Sequence, residues 1–364
     1  MELIKNNIVT LVAIVLAIIT SFIVPPDSEY LGYFDFKTLT CLFCTLLCVC
    51  ALKNIRFFRI IAEKVVICFK KTRSAVIALI YITFIGSMIL ANDMALITFL
   101  PLGYYVLMST NNEKYMDFTF IMQNIAANLG GMLTPFGNPQ NLYLYEYYKI
   151  SNAEFIKIMF LPFLISITVI TLFCFIIPNN EMHLKKEINI KLNSKKAIAY
   201  GILFALAISV VFRVVPYYIG LVVITVTIFI LDKTALKDVD YPLLLTFVAF
   251  FVFAGNMARI PLVSEFLGGI IGRNTLLYGV LSCQVMSNVP SAILLSKFTA
   301  NYQQLLVAVN IGGAGTLIAS LASLITFREY VKRQPDKVLS YIKKFSLYNC
   351  TILLILLVVM SVVI

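Results

Sequence analysis

Two short polar clusters interrupt otherwise apolar sequence, and each carries groups able to bind an ion. The first is Ala91-Asn92-Asp93 and the second is Ser287-Asn288-Val289-Pro290. Asp93 is the single charge in the run 74–112. A carboxylate in the middle of an apolar run is expensive, which makes it a candidate for binding a cation or exchanging a proton. Its counterpart in the second cluster is Val289, so that role belongs to one cluster only. A hydrogen-bonded aspartate that merely holds a turn is the structural alternative.

Each cluster is followed by a matching motif. Asn128, Gly130, Gly131 and Thr134 align without gaps on Asn310, Gly312, Gly313 and Thr316, and Gly137-Asn138 meets Ala319-Ser320. Glycine pairs alone could serve close helix packing. The matched Asn, Thr and preceding polar clusters call for more than packing. Interrupted helices expose backbone N–H and C=O groups, whose N-terminal ends attract anions and whose freed carbonyls attract cations. Uncharged amides and hydroxyls complete such a cage. The candidate ion- and substrate-binding set is therefore Asn92, Asp93, Thr134, Gly137, Asn138, Asn141, Ser287, Asn288, Ser291, Thr316 and Ser320, with Asp93 as the coupling residue. Any one of the Asn, Ser and Thr residues could instead be a helix cap or an interhelical hydrogen bond.

The elements that must position these residues are membrane helices. The chain has 364 residues, 60% hydrophobic and 13% charged, with a mean hydropathy of +0.93. A soluble protein of this length could not hide that much apolar surface, whereas a bilayer accepts it. The net charge of +11 does not indicate nucleic acid, because the basic residues sit in loops between apolar runs. The run Ile8 to Val24 precedes Pro25-Pro26-Asp27 rather than a small-residue cleavage site, and reads as a first transmembrane helix. Cys41, Cys44, Cys48 and Cys50 share one apolar segment and the sole histidine, His183, lies in a charged loop. Buried inert thiols describe these cysteines better than a metal cluster. No metal or other cofactor is expected, and no enzyme constellation presents itself.

The expected fold class is an all-α polytopic membrane protein of two inverted-topology repeats, each with a re-entrant hairpin and a broken transmembrane helix. The first repeat, 1–177, holds helices 8–24 and 38–52, hairpin 74–112, broken helix 118–145 and helix 155–177. A linker and inverting helix cover 178–215, with the crossing at 198–212. The second repeat, 216–364, holds helices 217–231 and 241–257, hairpin 274–298, broken helix 301–327 and helix 346–364. The run 74–112 is too long for one helix and short for two spans with a turn. Each arm of the second hairpin is about half a span. Such backbone is tolerated at depth only when buried in protein or lining a wet cavity.

If both hairpins return to their own side, 22 of the 29 Lys and Arg residues fall in the cytoplasm and 7 elsewhere, as the positive-inside rule requires. The N-terminus is then cytoplasmic and the C-terminus extracytoplasmic, in a plasma or inner membrane. Segments 53–73 and 328–345 read as amphipathic helices at the lipid interface. Arg259 and Lys297 could meet an anionic substrate at a vestibule, but snorkelling to headgroups is favoured.

The motifs Ala91-Asn92-Asp93-Met-Ala-Leu-Ile-Thr-Phe-Leu-Pro101, Thr134-Pro135-Phe136-Gly137-Asn138-Pro139-Gln140-Asn141 and Ser287-Asn288-Val289-Pro290 resemble those of the ion transporter superfamily. That group includes arsenite efflux permeases, D-type sodium/proton antiporters, and citrate and dicarboxylate carriers. The resemblance runs from about residue 35 to the C-terminus and is strongest to compact anion permeases of the citrate-transporter-like group. It implies an elevator-like carrier, with substrate and coupling ion between hairpin tips and broken helices, assembled as a homodimer. Both tips depart from the Ser-Asn-Thr of sodium-coupled dicarboxylate carriers. The Asn-Asp tip is more similar to the arsenite permeases and the antiporters, where protons are involved.

The resulting expectation is a secondary active transporter of a small organic or inorganic anion, arsenite-type included. It is embedded in membrane lipids, and its coupling ion, H+ or Na+, is open. A sodium/proton antiporter using Asp93 is the second reading, and a channel or non-transporting scaffold the third.

Overall fold

The computed structural model describes residues 8–182 and 192–364. His183, Lys185, Lys186 and Lys191 of the basic linker lie outside them. Helix α1 (Ile8–Ile23) and α2 (Phe36–Asn54) are followed by the short α3 (Phe57–Ile67). Helices α4 (Thr72–Leu90) and α5 (Asn92–Ser109) are separated by Ala91 alone. An irregular stretch divides α6 (Met116–Gly130) from α7 (Pro139–Tyr147), and α8 (Asn152–Cys174) ends the first half. Helices α9 (Ser194–Val211), α10 (Tyr217–Leu231) and the short α11 (Lys233–Lys237) lead to α12 (Tyr241–Arg259) and α13 (Pro261–Arg273). Ser287 alone separates α14 (Thr275–Met286) from α15 (Asn288–Leu295). A second irregular stretch divides α16 (Tyr302–Ile311) from α17 (Leu321–Arg333), and α18 (Val338–Val363) closes the chain. No strand occurs among the described residues.

Local chemistry sets many of the helix starts. Ser151 accepts from the Glu154 N–H in a Ser-x-x-Glu pattern, and Asp35, Asp240, Asn274, Asn301 and Ser320 cap their helices the same way. Among the described residues six helices are long and apolar enough to cross a membrane. Large apolar side chains such as Leu172, Val358 and Val362 stand exposed on them, and Val222 and Ile230 on the shorter α10. The two broken helices are the opposite case. Residues 118–132 of α6 and its extension, 139–146 of α7 and 305–315 of α16 and its extension are mostly buried, so their polar groups must find partners inside the protein.

The contacts sort the loops into two ends. At the first, Lys37 pairs with Glu146, Tyr148 donates to Thr299 O at 2.7 Å, and Gln304 donates to Ile364 O at 2.9 Å. At the second, the Thr72 N–H donates to Asn180 O at 2.9 Å, Asn54 donates to Asp232 at 3.2 Å, and Lys344 pairs with Asp117. The pair α4–α5 leaves and returns to the second end, and α14–α15 leaves and returns to the first.

Packing between the halves is reciprocal. Helix α1 packs on α12 and α10 on α2, while α5 packs on α17 and α15 on α7.

Two expectations, on segment 328–345 and on Arg259, need correction. Segment 74–112 holds two helices of 19 and 18 residues, of which α4 has the length and apolarity of a span. Two such helices fit because the turn between them consumes one residue. Segment 328–345 is not a separate interfacial helix. Its first part ends α17 and its last part begins α18, with Pro335 in the turn between. Arg259 does not snorkel. It pairs with Asp27 at 2.6 Å and Glu29 at 3.3 Å, and its guanidinium holds the Asp27 carboxyl below the usual carboxylate range.

Candidate functional site

The two polar clusters form tips of the same shape. Ala91 has φ 64° and ψ 150°, and Ser287 has φ 76° and ψ 158°. Both are non-glycine residues in a sparsely populated region, and such strain persists only where surrounding contacts enforce it. The enforcing contacts also match. Asn92 Oδ1 accepts from the Asp93 N–H at 2.9 Å, and Asn288 Oδ1 accepts from the Val289 N–H at 3.0 Å. Thr134 Oγ1 donates to Met88 O at 2.7 Å, and Thr316 Oγ1 donates to Gln284 O at 3.1 Å. Each carbonyl belongs to the residue three before its tip. The self-match in sequence is thus a match of hydrogen bonds.

Between the tips a buried amide network joins the halves. Asn92 donates to Asn128 Oδ1 at 3.2 Å. Asn138 donates to Asn128 O and to Asn310 Oδ1, both at 3.3 Å. Asn310 donates to Asn141 Oδ1 at 2.5 Å, and Asn141 donates to Gly131 O at 3.2 Å. Of the two matched asparagines, Asn310 reaches across to Asn138 and Asn141, whereas Asn128 bonds to Asn92, Asn124 and Asn138 of its own half.

A cavity of about 410 Å³ opens beside this network. Asn92, Asp93, Ser287, Asn288 and Val289 of both tips line it, with Gln140 from α7, Asp240 from the start of α12 and Arg328 from α17. Val9, Thr10 and Pro242 also line it, so it extends toward the second end. Asp93 Oδ1 and Gln140 Oε1 are buried in its lining with no partner among the described residues. Unsatisfied buried acceptors are costly, and two on one cavity suit a bound ion or group that carries donors or positive charge.

The structure therefore gathers part of the expected set. Asn92, Asp93, Ser287 and Asn288 line the cavity, and Asn138 and Asn141 stand directly behind it. Thr134, Gly137, Ser291, Thr316 and Ser320 do not line it. Ser291 donates to Ser287 O at 2.7 Å, Ser320 caps α17, and Thr316 is exposed. Gln140, Asp240 and Arg328 line the cavity without having been expected there. Gln140 lies inside the Gly-Asn-Pro-Gln-Asn motif and could have been read from it, whereas Asp240 reads only as a helix cap.

The two threonines give a stability test. Thr134→Val removes a hydrogen bond from a partly buried site and should cost about 1 kcal/mol. Thr316→Val removes its exposed counterpart and should cost clearly less. Thermal unfolding of the purified variants, compared side by side, measures both, and equal losses would refute the difference in burial.

Such a fold, with apolar crossing helices around interrupted ones and a cavity carrying a few polar groups at their break, defines a multi-pass membrane transporter. The chain belongs to the citrate transporter family, whose profile matches residues 1–322. It is 34% identical over 300 residues to a protein of Methanocaldococcus jannaschii named as an uncharacterized transporter, covering 81% of each chain. It is 27% identical over 315 residues to the inner membrane protein YbiR of Escherichia coli, covering 85% of this chain and 84% of that one.

Proposed function

We propose that the protein is a secondary active carrier of a small anion, a carboxylate or inorganic oxyanion, that binds between the two tips. The observation that carries this reading is the cavity shared by both tips, whose lining joins Asn92, Asn288 and Arg328 to Asp93, the last with an unpartnered Oδ1 open to a coupling cation. Uncharged amides of Asn92 and Asn288 and the Arg328 guanidinium would hold the anion, and Asp93 would take the coupling proton or sodium ion. Matching tips, matching Thr bonds and reciprocal packing support two repeats of opposite orientation with re-entrant hairpins. This is a plan suited to alternating access of an elevator type. The excess of Lys and Arg at the second end supports placing that end in the cytoplasm, with the N-terminus inside and the C-terminus outside.

A specific feature favours a second reading. Two carboxylates, Asp93 and Asp240, face one guanidinium in the cavity lining, and that balance suits a sodium/proton antiporter. Charge movement in proteoliposomes separates the two. A saturable response to citrate, succinate, sulfate or arsenite is expected for the anion carrier. A response to sodium jumps alone, sensitive to the pH gradient, would replace it with the antiporter. Single cysteines at Asn92 and Ser287 should react with aqueous reagents from at least one side. Shielding of both in every condition would remove the tips from the path.

A further inference from the structure

A second cavity, of about 560 Å³, lies at the first end. Helices α7 and α15 separate it from the tips. Both begin at the tip cavity, with Gln140 and Asn288, and both end at the second cavity, with Glu146 on α7 and Lys297 just past α15. At about 1.5 Å per residue, roughly 10–14 Å of helix divides the two.

Four cations line this cavity, Lys37, Lys149, Arg213 and Lys297, against two carboxylates, Asp35 and Glu146. Asp35 is committed, since its two oxygens accept from the N–H and hydroxyl of Thr38 at 2.9 and 2.6 Å. Glu146 is a carboxylate seated between Lys37 at 2.7 Å and Arg213 at 3.4 Å, its side chain 4% exposed. Its second oxygen, Oε1, is buried without a partner among the described residues. Arg213 is anchored as well, donating to Tyr145 O at 2.7 Å and Ile150 O at 3.1 Å. Lys297 rests over the Tyr147 ring at 4.6 Å. Neither it nor Lys149 makes an ion pair among the described residues.

We propose that this cavity is a second binding site, for a small soluble anion that also carries a hydroxyl or an acid proton. The anionic group meets Lys149 and Lys297, and the donor satisfies Glu146 Oε1. The seat of Glu146 demonstrates that Lys37 and Arg213 grip a carboxylate in this place. Phosphatidylcholine has no hydrogen-bond donor in its headgroup and cannot satisfy Glu146 Oε1, so a bilayer of that lipid leaves the recess to a soluble anion. That the site captures substrate for the carrier rests on the proposed function. Binding itself does not.

The test reads binding at the site rather than transport. Tyr217→Cys, on the cavity wall, is placed in protein with Cys68 and Cys350 changed to serine and reconstituted in phosphatidylcholine nanodiscs. Labelling by an uncharged maleimide is followed at constant ionic strength with citrate, succinate, sulfate or chloride. Citrate, which has carboxylates and a hydroxyl, should slow labelling at lower concentration than succinate, and chloride should not slow it. Lys149→Asn with Lys297→Gln should raise the half-protecting concentration about fivefold, the scale of an exposed charge contact. Asparagine is chosen because Lys149 has φ 53° and tolerates that residue best. Asp93→Asn should lose coupling yet keep the protection. Equal protection by chloride, protection that only anionic lipid confers, or loss of protection in Asp93→Asn would each overturn the proposal.

Discussion

Asp93→Asn is expected to abolish the dependence of transport on the proton or sodium gradient while leaving the protein folded. Asparagine keeps the shape of the side chain. The tip does not depend on the carboxylate, because its closing contact runs from the Asp93 backbone N–H to Asn92 Oδ1. Asp93 Oδ1 is buried and unpartnered, so removing the charge should relieve a cost of up to about 2.5–3.5 kcal/mol on insertion scales. The unfolding temperature should therefore hold or rise. Flux in proteoliposomes under imposed pH and sodium gradients measures the coupling, and circular dichroism on heating measures the fold. For an anion carrier, downhill anion exchange should survive without coupling. For an antiporter, every cation response should vanish. Unchanged gradient dependence would take Asp93 out of the coupling site. A clear drop in unfolding temperature would make it structural.

The membrane class and the site's location were legible in the sequence for one physical reason. A polar residue inside an apolar run stands out because its placement is expensive. Asn92, Asp93 and Asn288 announced themselves that way, and the structure puts all three on one cavity. The self-match was legible, and Thr134 and Thr316 make the same bond in the two halves. The extents of the elements were harder. A turn usually consumes several residues, so 74–112 looked too short for two long helices. The strained single-residue turn at Ala91 leaves no mark, since alanine is not a residue that signals positive φ. Asp240 and Arg328 escaped notice because each sits where a helix cap or a basic loop is ordinary. Only the approach of α12 and α17 to the tips gives them a cavity to line. The amide network was half visible: both asparagines could be read as matched, but not that Asn310 of the pair bonds across to the opposite half.

Gly131→Ala is expected to be strongly damaging, and Gly313→Ala a mild one. The sequence match treats the two glycines as equals. The surroundings do not. A methyl group on Gly131 would lie 2.4 Å from Asn138 Oδ1 and 2.8 Å from Gly137 O, one of them main chain. Asn138 cannot yield without giving up its bonds to Asn128 O and Asn310 Oδ1. Overpacking costs about 1–3 kcal/mol, and each buried group left unpaired adds about 1–3 kcal/mol. On Gly313 the nearest atoms are Asn288 Nδ2 at 3.1 Å and Asn310 O at 3.3 Å, and a few tenths of an ångström of movement accommodates the methyl. Transport and unfolding temperature should both fall sharply for Gly131→Ala and only slightly for Gly313→Ala. The asymmetry has a functional sense. In the first half the irregular stretch folds back on itself, with Asn138 bonded to Asn128 O ten residues before it. In the second half, Ser320 stands at the matching position and bonds to Ser323 within its own helix. The tightly packed glycine thus lies in the half that carries Asp93, where a coupling ion would need fixed ligands, while the second stretch is held through Gln284, which bonds to Gly312 O, Ala314 O and the Thr316 N–H. Equal sensitivity of the two glycines would show instead that the halves are held alike.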